Sequence, residues 1–320
     1  MKYGIIGVSG HYHQALDAAR AGLCEFPAAV ARGSAGEDAR PLAEKLGVPY
    51  YDSWREMIAR EKLDAVAVNP WFWETAPISA ECMKAGLDVY SEKPLAIDEG
   101  ELDRLRAVWT QSGRNLGCML NLNCCAWFLA LESAVRAGEI GEVRMIHGQK
   151  SYRMGVRGPL YQRRRDYGGI LPWVGVHAVD WVLRLGGRCV SVSASQTTAC
   201  NRGNGELETT AAALLTLENG VIVTVTTDFL RPTGSARHDD DRLRVTGTRG
   251  MIEAVDGHVY LENENAKREL PLPPEVNPFA RFLNARNTPE GKRLTEEAFE
   301  DSRICLLARR AADEGRVVYA

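Results

Sequence analysis

The chain has 320 residues, 45% hydrophobic and 25% charged, with a formal net charge of −3 and a pI near 6.1. That balance is ordinary for a globular protein of two domains, and it excludes a global field that would recruit nucleic acid or an anionic membrane. The eight cysteines form no CxxC pair and lie mostly in apolar stretches, which fits reduced thiols better than a disulfide framework or a zinc site.

Met1-Lys2-Tyr3-Gly4-Ile5-Ile6-Gly7 runs directly into a strand, leaving no room for a signal peptide. No apolar run approaches the roughly 18 residues of a membrane span. The expectation is a cytoplasmic protein with no membrane partner. After the strand at 2–6, Gly7 to His13 forms a turn into a helix at about 13–21, closed by Gly22. A second strand covers 28–31, and Ser34 and Gly36 open a helix to about Leu46. Ser53-Trp54-Arg55-Glu56 is a capping box. Residues 64–68 read as a buried strand, 75–85 as a helix, 87–91 as a strand, 98–111 as a helix and 116–120 as another strand. Apolar strands alternating with helices predict an α/β domain at 1–120 built on a doubly wound parallel sheet.

Beyond residue 120 the rhythm changes. A helix at about 125–137 precedes long alternating strands at 143–153, 190–198, 209–217 and 221–229. Asn219-Gly220 and Asp256-Gly257 mark hairpin turns, the second between 251–255 and 258–262. Helical patterns at 277–286 and 295–312 close the chain. Residues 121–320 therefore read as an α+β domain with a large, mostly antiparallel open sheet.

The turn Gly7-Val8-Ser9-Gly10 between the first strand and helix is a degraded dinucleotide-binding motif. Such a turn must be tight, must let backbone approach a pyrophosphate, and must aim a helix amino terminus at the phosphate oxygens. Ser9 replaces the usual second glycine but is small and adds a hydroxyl donor, and Tyr12 stands where the third would fall. The acid that ordinarily ends the second strand is absent: the chain reads Ala31-Arg32-Gly33-Ser34, with no acid until Glu37. Arginine plus serine suits a 2′-phosphate, so the residues lean toward NADP over NAD; Arg32 stacked on adenine is the alternative.

Four stretches together resemble the Gfo/Idh/MocA oxidoreductase family: Gly7-Val8-Ser9-Gly10; Ala85-Gly86 with Val89 and Glu92-Lys93-Pro94-Leu95-Ala96; Asn121 with Gly138-Glu139-Ile140-Gly141-Glu142-Val143; and Gly168-Gly169 through Pro172-Trp173, Gly175, His177 and Asp180. The resemblance spans nearly the whole chain. It implies a Rossmann domain followed by an α/β domain whose open sheet mediates oligomerisation, as a homodimer or homotetramer. It also implies an oxidoreductase acting on a secondary hydroxyl or ketone of a sugar, cyclitol or related polyol. Two alternatives stand beside that activity: a glycoside-cleaving relative that oxidises C3 transiently with bound NAD, and a non-catalytic nucleotide-binding regulator.

In the family the lysine of Glu-Lys-Pro and the histidine of Gly-x-His-x-x-Asp face each other across the substrate, which on this chain implies Lys93 and His177. A desolvated lysine ammonium can polarise or protonate a carbinol oxygen, and a histidine near neutrality can shuttle the proton. The implied cofactor contacts are Gly7, Ser9, Gly10, His11, Arg32, Ser34, Pro70, Trp71, Glu92, Lys93 and Asn121. The implied substrate contacts are Trp73, Tyr161, Trp173, His177 and Asp180. This chain departs from the family pattern where Trp173 replaces an aspartate, in the loop Pro70-Trp71-Phe72-Trp73, and at Asn123-Cys124 after Asn121. Loss of the aspartate leaves Lys93 as principal acid/base with His177 assisting. Trp71, Phe72 and Trp73 are expected to pack against nicotinamide and a sugar-like face.

The basic stretch Arg153, Arg157 and Arg163-Arg164-Arg165 suits an anionic substrate such as an acidic or phosphorylated sugar, although a solvated loop or subunit contact is the more ordinary reading. The acids at Arg237-His238-Asp239-Asp240-Asp241 read as a solvated turn and not as a metal site, so no metal is expected. The residues alone name no substrate.

Overall fold

The computed structural model describes all 320 residues and divides into two units. The first comprises Met1–Leu120 with Arg165–Tyr167 and Asn277–Ser302. It alternates β1 (Tyr3–Ile6), α1 (His13–Arg20), β2 (Ala29–Ala31), α2 (Arg40–Leu46), β3 (Tyr50–Tyr51), α3 (Trp54–Arg60), β4 (Ala65–Val68), α4 (Phe72–Lys84), β5 (Asp88–Ser91), α5 (Glu99–Ser112) and β6 (Leu116–Cys118). The six strands form one parallel sheet in the order β3-β2-β1-β4-β5-β6. This is the doubly wound Rossmann arrangement expected from the sequence. Every residue of β1, β2, β4 and β5 is buried, as a parallel sheet covered on both faces requires. The strand order reverses between β1 and β4. Ligands of such folds bind at that switch point, beyond the carboxyl ends of the strands.

The second unit comprises Asn121–Arg164, Gly168–Val276 and Arg303–Ala320. Its helices include α6 (Ala126–Arg136) and, after the single turn α7 (Arg164–Tyr167), whose last three residues belong to the first unit, α8 (Val176–Gly186). Its strands are β7 (Val143–Tyr152), β8 (Cys189–Thr197), β9 (Thr210–Leu217), β10 (Ile222–Asp228), β11 (Asp239–Gly247), β12 (Gly250–Val255), β13 (His258–Asn263) and β14 (Lys267–Glu269). After α9 (Pro278–Ala285) and α10 (Pro289–Glu314), β15 (Val318–Tyr319) completes a nine-stranded sheet ordered β14-β13-β12-β11-β7-β10-β9-β8-β15. Only β7 and β10 pair in parallel; every other pair is antiparallel. Along β9, Ala211, Ala213, Leu215 and Leu217 are buried while Ala212, Leu214 and Thr216 are exposed. That alternation leaves one face covered and the other open. No helix is long and apolar enough to cross a membrane.

Three sequence expectations are revised. First, residues 277–302 belong with the first unit rather than with a continuous 121–320 domain. Phe279 and Phe282 of α9 lie 5.2 Å from the ring of Tyr90, and Phe279 lies 5.0 Å from Tyr3. Each such aromatic contributes roughly 1.5–3 kcal/mol by burial. Second, the acids at 239–241 are not a solvated turn. They begin β11, paired to β7 with Asp241 opposite Lys150. Third, the aromatic stretch after β4 is not a loop, because α4 starts at Phe72 and buries it.

Candidate active site

Both loops at the switch point are shaped by backbone contact. Gly7 has φ +78°, and a Cβ there would lie 2.5 Å from the Asn69 carbonyl oxygen, so only glycine fits. The Gly7 N–H donates to the Ala31 carbonyl (2.9 Å) and the Ser9 N–H to the Asn69 carbonyl (3.0 Å). Glu92 packs so closely on Gly10 that an added Cβ would fall 1.9 Å from its carboxylate. That carboxylate accepts the His11 N–H (2.6 Å) and contacts His11 Nδ1 (2.7 Å). Glu92 is buried. Burial opposes its charge, but contact with His11 and the neighbouring Lys93 more than offsets this and holds the carboxyl below its ordinary value. Gly7, Gly10, His11 and Glu92 are thus brought together. Lys93 follows at the end of β5, 4% exposed, with a cis peptide bond to Pro94.

Sequence reasoning missed Glu37. Its Oε1 accepts the Val8 N–H (3.1 Å) and the Ser9 hydroxyl, and its Oε2 accepts the Ser34 N–H (2.7 Å). The signal was present: Ser34-x-x-Glu37 has capping-box spacing, and the Glu37 N–H returns a bond to the Ser34 carbonyl at 3.0 Å. Arg32 points to Asp52, 4.0 Å away. The Ser34 hydroxyl accepts the Trp71 N–H (2.8 Å), and Trp71 lies over Gly36 so closely that a Cβ there would meet the indole at 2.2 Å. Trp71 therefore covers the β2–α2 loop. Trp73 packs on it edge-on at 5.0 Å. The Asn69 side chain beside Pro70 is buried, with both polar atoms lacking a partner. A glycine cradle at a helix amino terminus, backed by an unpaired buried amide, fits a dinucleotide.

In the second unit, residues Leu171–Gly175 form one π-helical turn that leads into α8. Such turns commonly mark functional sites. It carries Trp173, and the next turn carries His177, 2% exposed. Tyr161 lies 4.4 Å from Trp173, ring centroid to centroid. Asp180, expected at the substrate, has both oxygens engaged: Oδ2 accepts from Asn123 (2.8 Å) and Oδ1 from Arg184 (2.6 Å). It anchors α8, and Asn123 does so with it. Asn121 precedes the 3-10 turn Leu122–Cys124, its carbonyl accepting the Cys124 N–H at 3.0 Å.

Two cations of the second unit, Lys150 buried and Arg157 half-buried, stand apart from the surface arginines. Both carboxylate oxygens of Asp241 lie 2.5 Å from Lys150 Nζ. Burial opposes the Lys150 charge, but Tyr152 and Asp241 offset it and raise its pKa, while burial pushes the Asp241 carboxyl up as well. The two-oxygen contact marks an ion pair. The second cation is Arg157, whose guanidinium lies 4.6 Å from the Phe229 ring centroid, 5.3 Å from Trp173 and 5.7 Å from Tyr161.

A six-stranded parallel sheet with a glycine turn at its switch point defines a dinucleotide-binding protein of the Rossmann type. The oxidoreductase family with an NAD-binding Rossmann fold matches residues 1–119, and the GFO/IDH/MocA C-terminal domain matches residues 128–253. The chain belongs to the Gfo/Idh/MocA oxidoreductase family.

A solved Thermotoga maritima protein, named only provisionally as an oxidoreductase, is 34% identical over the full length of both chains, with a TM-score of 0.93. The aldose-aldose oxidoreductase of Caulobacter crescentus, solved with glycerol, is 21% identical, with a TM-score of 0.83 covering 100% of this chain and 99% of that one; it shares the fold. Among curated proteins, the alpha-N-acetylgalactosaminidase of Shewanella oneidensis is 23% identical over 246 residues, 66% of this chain and 51% of that protein. The chain spans about half the length of the curated relatives it matches.

Proposed function

We propose that the protein is an NAD-dependent oxidoreductase acting on a secondary hydroxyl or ketone of a sugar, cyclitol or related polyol. The observation that carries this reading is Lys93, buried at the end of β5 beside a Glu92 already satisfied by His11. The Lys93 ammonium, buried next to the Glu92 carboxylate just beyond the carboxyl end of β5, holds a proton at the carbinol oxygen. His177 assists as the proton shuttle. The nicotinamide supplies hydride acceptance or return. The turn of Gly7, Ser9 and Gly10 binds the pyrophosphate, with Asn69 and Pro70 lining its other side. Purified protein assayed for nicotinamide reduction against a sugar and polyol panel tests the reading. K93A should lower kcat by about 10²- to 10⁴-fold, and H177A should shift the pH–rate profile. Normal turnover in K93A would sink it.

For the cofactor, Glu37 outweighs the lean toward NADP from Arg32 and Ser34. A carboxylate held on the turn amides and on Ser9 repels a 2′-phosphate and accepts from a ribose diol, and Arg32 is directed to Asp52. NADH should therefore bind more tightly than NADPH, with E37Q narrowing the gap in a fluorescence titration of Trp71.

The match to the Shewanella protein favours a second reading, cleavage of a glycoside with the cofactor retained. Release of an aryl alcohol from an aryl α-N-acetylgalactosaminide without net nicotinamide reduction would favour it over the first. We also propose that the open sheet face joins copies of the chain as a homodimer or homotetramer. Met145 and Ile222 are register partners on that face and, with Leu214, are exposed. Sedimentation of I222K should show a smaller species.

A further inference from the structure

Most arginines near Arg157 in the second unit reach a carboxylate. Arg164 meets Glu208 and Asp313, Arg231 meets Asp240 and Arg237 meets Asp239. Arg157 does not. Its one hydrogen bond runs from Nη2 to the Arg153 carbonyl at 3.3 Å, and its buried Nε has no partner. Burial depresses its pKa, with Tyr161 and Tyr152 opposing the shift. The surroundings that keep it charged are aromatic: Phe229, Trp173 and Tyr161 present rings to the guanidinium. Trp173 occupies the position where the family pattern has an aspartate, so one substitution removes an acid and supplies the wall against which a cation is held. His238 stays on the neutral side beside these cations. Burial, Arg157 and Arg153 all lower its pKa.

A guanidinium carries five donors in a fixed plane. Rings on several sides hold that plane in place, so the free edge is ordered before a ligand arrives and little rotamer freedom remains to be lost. A planar fork of this kind matches a carboxylate through two parallel hydrogen bonds. A phosphate dianion would call for a second free cation, and the neighbouring arginine is committed elsewhere: Arg153 Nη1 donates to the carbonyls of Thr233 and Ser235, each at 3.3 Å.

We propose that Arg157, held against Trp173, Phe229 and Tyr161, is the specificity anchor for a carboxylate on the substrate, which makes the substrate an acidic sugar or polyol such as an aldonate or uronate. This rests on the reading of the His177 helix as part of the substrate site, since Trp173 lies one turn before His177.

The test is binding, measured on the NAD-loaded protein by Trp fluorescence and calorimetry with D-gluconate, D-galactonate and D-glucuronate against D-glucose and myo-inositol. At least one acid should bind about tenfold or more tightly than every neutral ligand, and R157Q should lose about that factor for the acid while changing the neutral ligands less than about twofold. R157K, which keeps the charge without the fork, should keep the preference for acids at reduced affinity. It decides the matter if R157Q does not fold. Failure of every acid to bind, equal affinity for acids and neutral ligands, an unchanged R157Q, or equal losses for acid and neutral ligands would each overturn the assignment. Turnover is not the readout: charge-selective binding without nicotinamide reduction would leave the anchor standing and remove the dehydrogenase reading instead.

Discussion

Lys150 and Arg157 lie seven residues apart in the second unit, one buried and one half-buried, and their charges are accommodated by opposite means. Lys150 is 1% exposed and has Asp241 at 2.5 Å through both oxygens. Arg157 has rings and one carbonyl. Buried cations are ordinarily compensated by an acid, as Lys150 is. A cation held by aromatic faces keeps its charge available to whatever docks at its edge. The first unit offers the mirror case in Glu92, an anion whose partner, His11, comes from the glycine turn itself. A charge closed by its own protein serves the fold, whereas one left open at its edge serves recognition.

The sharpest way to break that contrast is D241N, which strands the Lys150 charge and should cost about 3–5 kcal/mol in urea melts, with the K150M/D241L pair recovering most of it. E92Q comes next, at about 1.5–3 kcal/mol near neutral pH. The folded pKa of Glu92 is depressed, so its contribution is present above the ordinary carboxylate pKa and is lost as pH falls through the folded value. The stability gap between wild type and E92Q should therefore close on acidification, and a gap that widens would refute the pairing with His11. G10A should cost about 1–3 kcal/mol, because its Cβ must push the Glu92 carboxylate away. R157Q should have the smallest effect, about 1 kcal/mol or less. A loss as large as that of D241N would make Arg157 a structural cation and dissolve the comparison.

The alternation of strands and helices in the first unit was legible because each parallel strand is a short apolar run between glycine-closed helices. The Asn219-Gly220 and Asp256-Gly257 turns were legible for a similar reason, since a positive φ at Gly220, Asp256 and Gly257 is a local demand. β11 was not, because three consecutive acids break the strand pattern and the residue that compensates Asp241 stands 91 positions away. Separation along the chain also hid the Arg157 box, where Trp173 and Phe229 reach the guanidinium only in three dimensions. Lys93 and His177 stand out by motif alone, yet the partners that hold Asp180 on α8 do not. The start of α4 at Phe72 was hidden for a local reason, since three aromatics in a row after Pro70 look like a loop.

The placement of α9 bears on how the chain is made. Phe279 and Phe282 finish the aromatic cluster around Tyr3 and Tyr90, yet the ribosome delivers them only after the entire nine-stranded sheet except β15. During vectorial synthesis the amino-terminal sheet must therefore wait for that cover until about the last seventh of the polypeptide emerges. A fragment stopping at residue 120 lacks that cover from the outset.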